Sequence, residues 1–133
     1  MAKNPKMGNA HVNAQGDALN AVYNAGKMRV YGGTQPATCD TSTAEAVLIE
    51  FVLPSPCFGS SALGVVTANT VSDVTAAAGG TAAWYRVWQS NGTTGLQDGT
   101  VGVGTFDLVI DSVTIVQGVT QHINSWAHTV AKG

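Results

Sequence analysis

The side chains that could perform chemistry in this 133-residue chain are few, and their spacing argues against catalysis. His122 and His128 are predicted to share one strand, where six positions span about 20 Å, so they cannot bind one metal ion by themselves. Asp107 and Asp111 could form an acid–base pair, but four positions along a strand span about 13 Å, more than glycosidases use. We therefore expect surface histidines, and solvent-facing aspartates that protect a sheet edge.

Other motifs of enzyme chemistry are incomplete. The glycine-rich stretch 99–104 lacks the Lys-Ser/Thr ending of a P-loop and the helix that follows a dinucleotide fingerprint. No Asp-x-Asp-x-Asp spacing for calcium occurs, and no Ser or Cys has a base partner visible in the sequence. Cys39 and Cys57 are expected to be free, partly buried thiols, with a disulfide between them as the alternative. The sequence predicts no enzyme, no cofactor and no metal ion.

Five residues are candidates for contact with a partner. Lys3 and Lys6 lie in a mildly basic N-terminal segment that could order against a neighbouring subunit. Trp84, Trp88 and Trp126 could form a platform that stacks on sugars, because aromatic faces bind sugars and protein interfaces alike. The alternative for the tryptophans is that they fill the core and a subunit contact.

The elements that position these residues are predicted to be strands. The chain is rich in Val and Thr, which fit a pleated surface, and in Gly, which serves the turns. Alternating apolar residues predict about eight or nine short strands, the strongest over 44–53 and another over 81–89. Residues 44–53 are apolar on both faces, which predicts burial on both sides. Asn91-Gly92 predicts a hairpin with a type I′ turn, and 96–103 a bulged edge or a turn-rich return.

One short helix is predicted before the strands. Asn13 is its expected N-cap and it runs to about Ala25, with Gly26 at the C-terminal position. Residues 1–11 are predicted to form an extended N-terminal arm, and 12–133 one mainly β domain, an antiparallel β-sandwich or jelly-roll-like fold. The apolar stripe that docks the helix on a sheet is predicted to be Ala18, Leu19, Val22 and Tyr23.

The charge of the chain limits its partners. Charged residues are 11%, against about 25% in a typical protein, and the net charge is −2. Nucleic-acid binding requires a basic face, which this composition does not offer. A surface with so little charge is expected to be partly buried against partners, in a symmetric homo-oligomer that is a trimer or a dimer.

The expected location follows from two absences in the sequence. The first ten residues contain no apolar stretch typical of a secretory signal peptide. The longest apolar run, 46–53, contains Glu50 and is far shorter than the roughly 18 residues of a membrane helix. We expect a protein that has no secretory route and no membrane partner.

The segment 28–41, Met-Arg-Val-Tyr-Gly-Gly-Thr-Gln-Pro-Ala-Thr-Cys-Asp-Thr, resembles a family of small virion proteins of tailed bacteriophages. The resemblance covers nearly the whole chain, and Tyr-x-Gly-Thr-Gln-Pro-Ala-Thr is its most specific part. Gly32 departs from the family, which usually has Asp there. The further stretches that match the family are 13–19, 58–69, 80–86 and 90–94.

The resemblance implies a non-enzymatic component of the virion, and it carries over no catalytic residue. Combined with the charge-poor β composition, it leads us to expect a capsid decoration (cement) protein that binds the major capsid protein and stabilises the head. The alternatives are a neck, collar or tail-associated structural protein and a virion module that binds host glycans.

Overall fold

A computed structural model of the chain describes residues 5–129. Two helices come first, and the rest of the described chain consists of short strands and the loops between them. The helices are α1 (Asn9–Ala18) and α2 (Asn20–Tyr23), and the strands are β1 (Lys27–Tyr31), β2 (Val47–Val52), β3 (Val65–Thr67), β4 (Val74–Thr75), β5 (Gly80–Thr81), β6 (Trp84–Trp88), β7 (Gly95–Gly102), β8 (Leu108–Ile110), β9 (Thr114–Ile115), β10 (Thr120–Gln121) and β11 (Ile123–Thr129).

Seven of the strands form one curled sheet in the order β2-β1-β6-β7-β8-β11-β3, and two small two-stranded sheets, β10-β4 and β5-β9, lie beside it. The predicted mainly β, sandwich-like fold with a short N-terminal helix is confirmed. The predicted antiparallel arrangement holds for every other neighbouring pair of the seven-stranded sheet and is wrong only for β7 and β8, which run parallel.

The parallel pair depends on an unusually short connection. Parallel neighbours usually need about a dozen connecting residues, yet only 103–107 separate β7 from β8. The carboxylate of Asp107 accepts hydrogen bonds from the backbone N–H of Thr100 (2.9 Å) and from its hydroxyl (3.0 Å). The ring of Phe106 lies where a Cβ at Gly102 would be. Position 102 must therefore be glycine for the short loop to lead back into a parallel strand. Strand β7 lies in the centre of the sheet, whereas a bulged edge or a turn-rich return is predicted for 96–103.

The core lies on the inner face of the sheet and contains a chain of aromatic hydrogen bonds. The hydroxyl of Tyr85 accepts from the indole N–H of Trp126 (3.0 Å) and from the amide of Gln97 (2.9 Å). The hydroxyl of Tyr23 in turn donates to Gln97 (2.9 Å). Tyr23 and Trp126 also pack around Phe58, each with its ring centroid 5.2 Å from that of Phe58. These contacts join the helical segment to the sheet through buried and satisfied polar atoms.

The helical segment differs from its prediction at both ends. The first helix begins at Asn9, so residues 9–11 of the predicted extended arm are helical, and Asn13 lies inside the helix. The helical chain ends at Tyr23, and Ala25, not Gly26, has the left-handed φ of 56°. The predicted apolar stripe is also displaced, since Val22 is exposed. The side chains that face the core are Val12, Leu19 and Tyr23, and the backbone of Gly16 is buried between them.

A row of polar side chains docks the helical segment on residues 57–64. The carboxamide of Asn20 accepts from Phe58 N–H (2.8 Å) and donates to Phe58 O (3.2 Å), as a neighbouring strand would. The three other members accept from backbone N–H groups of the same stretch. Asn13 accepts from Gly64 N–H (2.9 Å), Asp17 from Ser61 N–H (2.7 Å) and Asn24 from Cys57 N–H (2.8 Å).

The hairpin between β6 and β7 forms where it is predicted, with a different turn. Gly92 has a φ of 73° and its N–H donates to Gln89 O (2.8 Å), but Asn91 is not left-handed. The side-chain oxygen of Asn91 accepts from the N–H of Thr93 (2.9 Å) and of Thr94 (3.0 Å). This local bond favours a type I turn followed by a left-handed glycine over the predicted type I′ turn.

Strand β2 is an edge strand, although residues 44–53 are predicted to be buried on both sides. Its inward side chains, Ile49 and Phe51, are fully buried, and Leu48 on the outer face is also buried. Val52 on the same outer face is 52% exposed. The outer face of β2 is therefore covered only along its first half.

The row that contains Asn20 provides the first test. Replacing Asn20 with alanine leaves Phe58 N–H and O without their partners, which we expect to lower the free energy of unfolding by about 1–3 kcal/mol. Urea unfolding followed by tryptophan fluorescence measures the change. Gln15→Ala, at an exposed position of the preceding helix α1, is the control and should differ from wild type by less than about 0.5 kcal/mol. Equal stability of the two variants would contradict this role of Asn20.

Candidate functional site

The outer face of the sheet is organised around Arg86, whose side chain is 1% exposed. Its guanidinium makes a two-bond ion pair with Asp98 on β7, through Nε (2.5 Å) and Nη2 (2.8 Å). The same group donates to the carbonyls of Thr41 (2.6 Å) and Thr38 (3.2 Å). One cation thus joins two neighbouring strands to the loop 32–46, because its planar fork presents donors in several directions.

Aromatic rings flank this ion pair. The guanidinium carbon of Arg86 lies 5.4 Å from the ring centroid of Trp84 and 5.6 Å from that of Trp88. The guanidinium of Arg29 lies 5.3 Å from Trp88. Tyr31 stacks on Trp84 with the centroids 4.4 Å apart. Cation–π attraction strengthens as water is excluded, so these rings stabilise a charge that burial would otherwise make costly.

A depression of about 370 Å³ lies beside the ion pair, between the loop and the β6–β7 hairpin. The guanidinium of Arg86 is already engaged by one carboxylate and two carbonyls, so it is not free to bind an anionic substrate. Burial, followed by the nearby Asp98 carboxylate, raises the pKa of the Cys39 thiol to about 11, which disfavours the nucleophilic thiolate. The lining residues are Cys39, Asp40, Ser42, Arg86, Trp88, Thr93, Thr94 and Gly95.

The predicted partner-binding residues do not form one surface. Trp84 is 1% exposed and Trp126 is 2% exposed, and Trp126 packs against Tyr85 on the inner side of the sheet. Only Trp88 is partly exposed, so the three tryptophans cannot form a shared platform for sugars. Lys6 is exposed, while Lys3 lies outside the described residues.

The predicted surface histidines and aspartates serve local contacts. His122 is paired with Asp73 at 2.6 Å, and both side chains are about half exposed. Burial lowers the pKa of His128. Asp107 and Asp111 lie at opposite ends of β8, where Asp107 binds Thr100 and Asp111 accepts from Asn124 (2.7 Å). Within residues 5–129 no group of three or more His, Cys, Asp or Glu side chains could hold a metal ion.

Both cysteines are free, as predicted. Cys57 is fully buried, and this burial raises the pKa of its thiol to about 12. A protonated thiol in an apolar environment behaves as a small apolar side chain.

The surface feature that distinguishes this chain is a set of exposed apolar side chains. Four of them lie in two connections, the β7–β8 loop and the turn between β9 and β10. Each of the four is about half exposed, although Phe106 also packs on Gly102, and a charge-poor surface offers little else for recognition. The eight exposed large apolar residues in the described part of the chain are Val22, Val52, Leu63, Val65, Val103, Phe106, Val116 and Val119.

Comparison with known proteins adds no relative. No protein-family model matches the chain, and neither curated proteins nor solved structures show a significant match. Among the described helices, none is long and apolar enough to cross a membrane.

Sequence reasoning missed the ion pair of Arg86 and Asp98. Its signal is an arginine two positions from each of two tryptophans in a predicted strand, in a chain with only six Lys and Arg residues. Alternation places all three side chains on one face, where an arginine between aromatic rings is shielded from water. The docking role of Asn20 and its neighbours was missed because asparagines in a helix are usually read as solvent-facing.

The ion pair generates a second test. Replacing Asp98 with asparagine leaves Arg86 charged and buried without its counter-ion, and we expect this to lower the free energy of unfolding by about 3–5 kcal/mol. Asp111→Asn is the matched control, because Asp111 is exposed and bonds only one amide, and its effect should stay below about 1 kcal/mol. Chemical unfolding measures both variants. Similar losses for the two would rule out a special role for Asp98.

The buried acids predict a dependence of stability on pH. Burial raises the pKa values of Tyr85 and Cys57 to about 12, whereas thiols in an unfolded chain ionise near pH ~8.5. The unfolded chain therefore releases protons first as the pH rises, and the free energy of unfolding should fall steadily above about pH 9. Urea unfolding at a series of pH values measures the slope. Cys57→Ala should make the slope shallower, and an unchanged slope in this variant would contradict the assignment.

Proposed function

We propose that this protein is a non-enzymatic structural protein of a bacteriophage virion, and specifically a decoration protein that binds the major capsid protein on the outside of the head. It acts there as a symmetric oligomer and stabilises the shell, because a protein that binds only the assembled lattice adds its binding free energy at every site.

The observation that carries the proposal is the exposure of apolar side chains on turns at the surface. Val103 and Phe106 lie in the β7–β8 loop, and Val116 and Val119 lie in one turn closed by a hydrogen bond between their backbones (3.1 Å). Short apolar turns on a rigid sheet suit contact with a second protein, since they lose little conformational freedom when they bind.

The use of the charged groups supports the same proposal. Arg86 and Arg29 are paired with Asp98 and Glu50 within the chain, at 2.5 and 2.7 Å. These two arginines are thus engaged in structural contacts and are not free to bind an anionic ligand. The burial of Trp84 and Trp126 argues against the alternative of a host-glycan module built on the three tryptophans. The resemblance to phage virion proteins points to a partner within the particle, for which we propose the major capsid protein, with other virion proteins as the alternative.

A rebinding experiment tests the proposal. Purified protein added to particles that lack it should bind them and raise the temperature at which they release DNA. Replacing both Val116 and Val119 with serine should weaken this binding by at least about tenfold, because their exposed apolar surface would lose its contact. Binding is measured by co-sedimentation with particles, and DNA release by the fluorescence of a DNA dye during heating.

Gln117→Ser is the control, since it changes an exposed polar residue of the same turn and should bind as wild type does. Binding by the double variant that equals wild type would exclude this turn as the docking surface. Particles that lack the protein and release DNA at the wild-type temperature, but fail to attach or eject, would favour the neck or tail alternative.

A further inference from the structure

The two edges of the seven-stranded sheet are covered to different extents. At the β3 edge, Thr67 O accepts from Gly59 N–H (3.0 Å), and Val65 exchanges two hydrogen bonds with Ala62 (both 2.9 Å). The backbone groups that β3 directs away from β11 are thus largely satisfied by the preceding chain. A covered edge of this kind cannot accept another strand.

The β2 edge is different. Hydrogen-bonding groups alternate between the two sides of a strand, and Leu53 N–H bonds Gly26 O (2.8 Å) on the side of β1. In the regular register of β1 and β2, Ile49 and Phe51 therefore also face β1, while Glu50 and Val52 direct their N–H and C=O groups outward. Leu48 O, on the same outward side, is bonded by the N–H of Ala77 (2.8 Å).

The outward groups of Glu50 and Val52 have no backbone partner among residues 5–129. Two N–H donors and two C=O acceptors thus form a short row at the edge of the sheet, next to the exposed side chain of Val52. Unpaired backbone groups on an edge strand are a template for another strand.

We propose that β2 pairs antiparallel with β2 of a second copy of this chain, across a two-fold axis at Phe51. This inference goes beyond the virion role, which holds whether or not the protein pairs through this edge. Glu50 of each copy then lies opposite Val52 of the other, and the four outward groups of each copy form four hydrogen bonds across the axis.

The chemistry of the edge selects this register over its neighbours. Centring the axis on Glu50 would place two carboxylates directly opposite each other, which is destabilising. Centring it on Val52 would place Glu50 opposite Pro54, which has no N–H to donate. Only the axis at Phe51 uses all four outward groups of Glu50 and Val52.

Charge complementarity also favours a second copy as the occupant. Lys27 lies beside Val52 on the outer face, because the two residues are partners in the β1–β2 ladder. In the proposed pair, Glu50 of the second copy is the next residue in that row, within reach of the long Lys27 side chain. The ammonium of Lys27 lies 3.9 Å from the carboxylate of Glu50 in its own chain, which is a long ion pair. It is therefore placed to bridge this carboxylate and that of Glu50 in the second copy.

Three substitutions at Val52 test the proposal by sedimentation equilibrium over a range of protein concentrations. Val52→Pro removes an outward N–H from each copy, and thus two of the four hydrogen bonds, while the ladder with β1 does not use that group. We expect wild type to dimerise reversibly and this variant to dimerise at least about tenfold more weakly.

A pair of charge variants keeps the test independent of proline's effect on folding. Val52→Glu gains Lys27 as a partner within its own chain but faces Glu50 of the second copy, so its dimer should weaken by at least about tenfold. Val52→Lys faces the same carboxylate with an opposite charge and should dimerise at least as well as wild type at low salt. The two variants remove the same apolar side chain and differ only in sign.

Monomeric wild type at every concentration would overturn the proposal. Dimerisation of Val52→Pro and Val52→Glu that equals wild type would also overturn it, and equal weakening of the Glu and Lys variants would overturn the register. Loss of particle binding without loss of dimerisation would concern the proposed function alone.

Discussion

The structure depends on one buried cation. Arg86 binds Asp98, two loop carbonyls and the faces of two tryptophans at once, and it thereby joins β6, β7 and the loop 32–46. A lone charge in this environment would be prohibitively costly, so all of its partners must be in place together. The outer face of the sheet is therefore organised by a buried ion pair, while the inner face combines apolar packing with the hydrogen bonds that join Tyr23, Gln97, Tyr85 and Trp126.

The same principle recurs at the helical segment. Asn20 and Asn24 bind the backbone of residues 57–64 as a neighbouring strand would. Asp107 likewise accepts from the backbone N–H of Thr100 and so holds the loop that leads into β8. In each case a polar side chain takes the place of a missing backbone partner. A chain with few charged residues thus commits many of its polar groups to structure, and the surfaces that we propose for recognition are the apolar turns and the free part of the β2 edge.

Periodicity predicted the strand-rich composition, the positions of the main strands and the hairpin, because alternation and turn residues act locally. It did not predict the parallel pair of β7 and β8, since that pair depends on contacts of Gly102 with Phe106 and of Thr100 with Asp107. The helix began earlier than predicted, because Asn13 serves a distant loop and not the helix end. The tryptophans could be named from sequence as binding candidates, but burial separates Trp84 and Trp126 from any partner surface.

The central claim is that the chain is a component of a virion head. Its most direct test is quantitative mass spectrometry of purified particles, with the amount of this protein measured relative to the major capsid protein. The account predicts a copy number comparable to that of the capsid subunits, in particles from which free protein has been removed. Complete absence from purified particles would contradict the account, and a copy number that matches the ring symmetry of the neck or tail would contradict the decoration role.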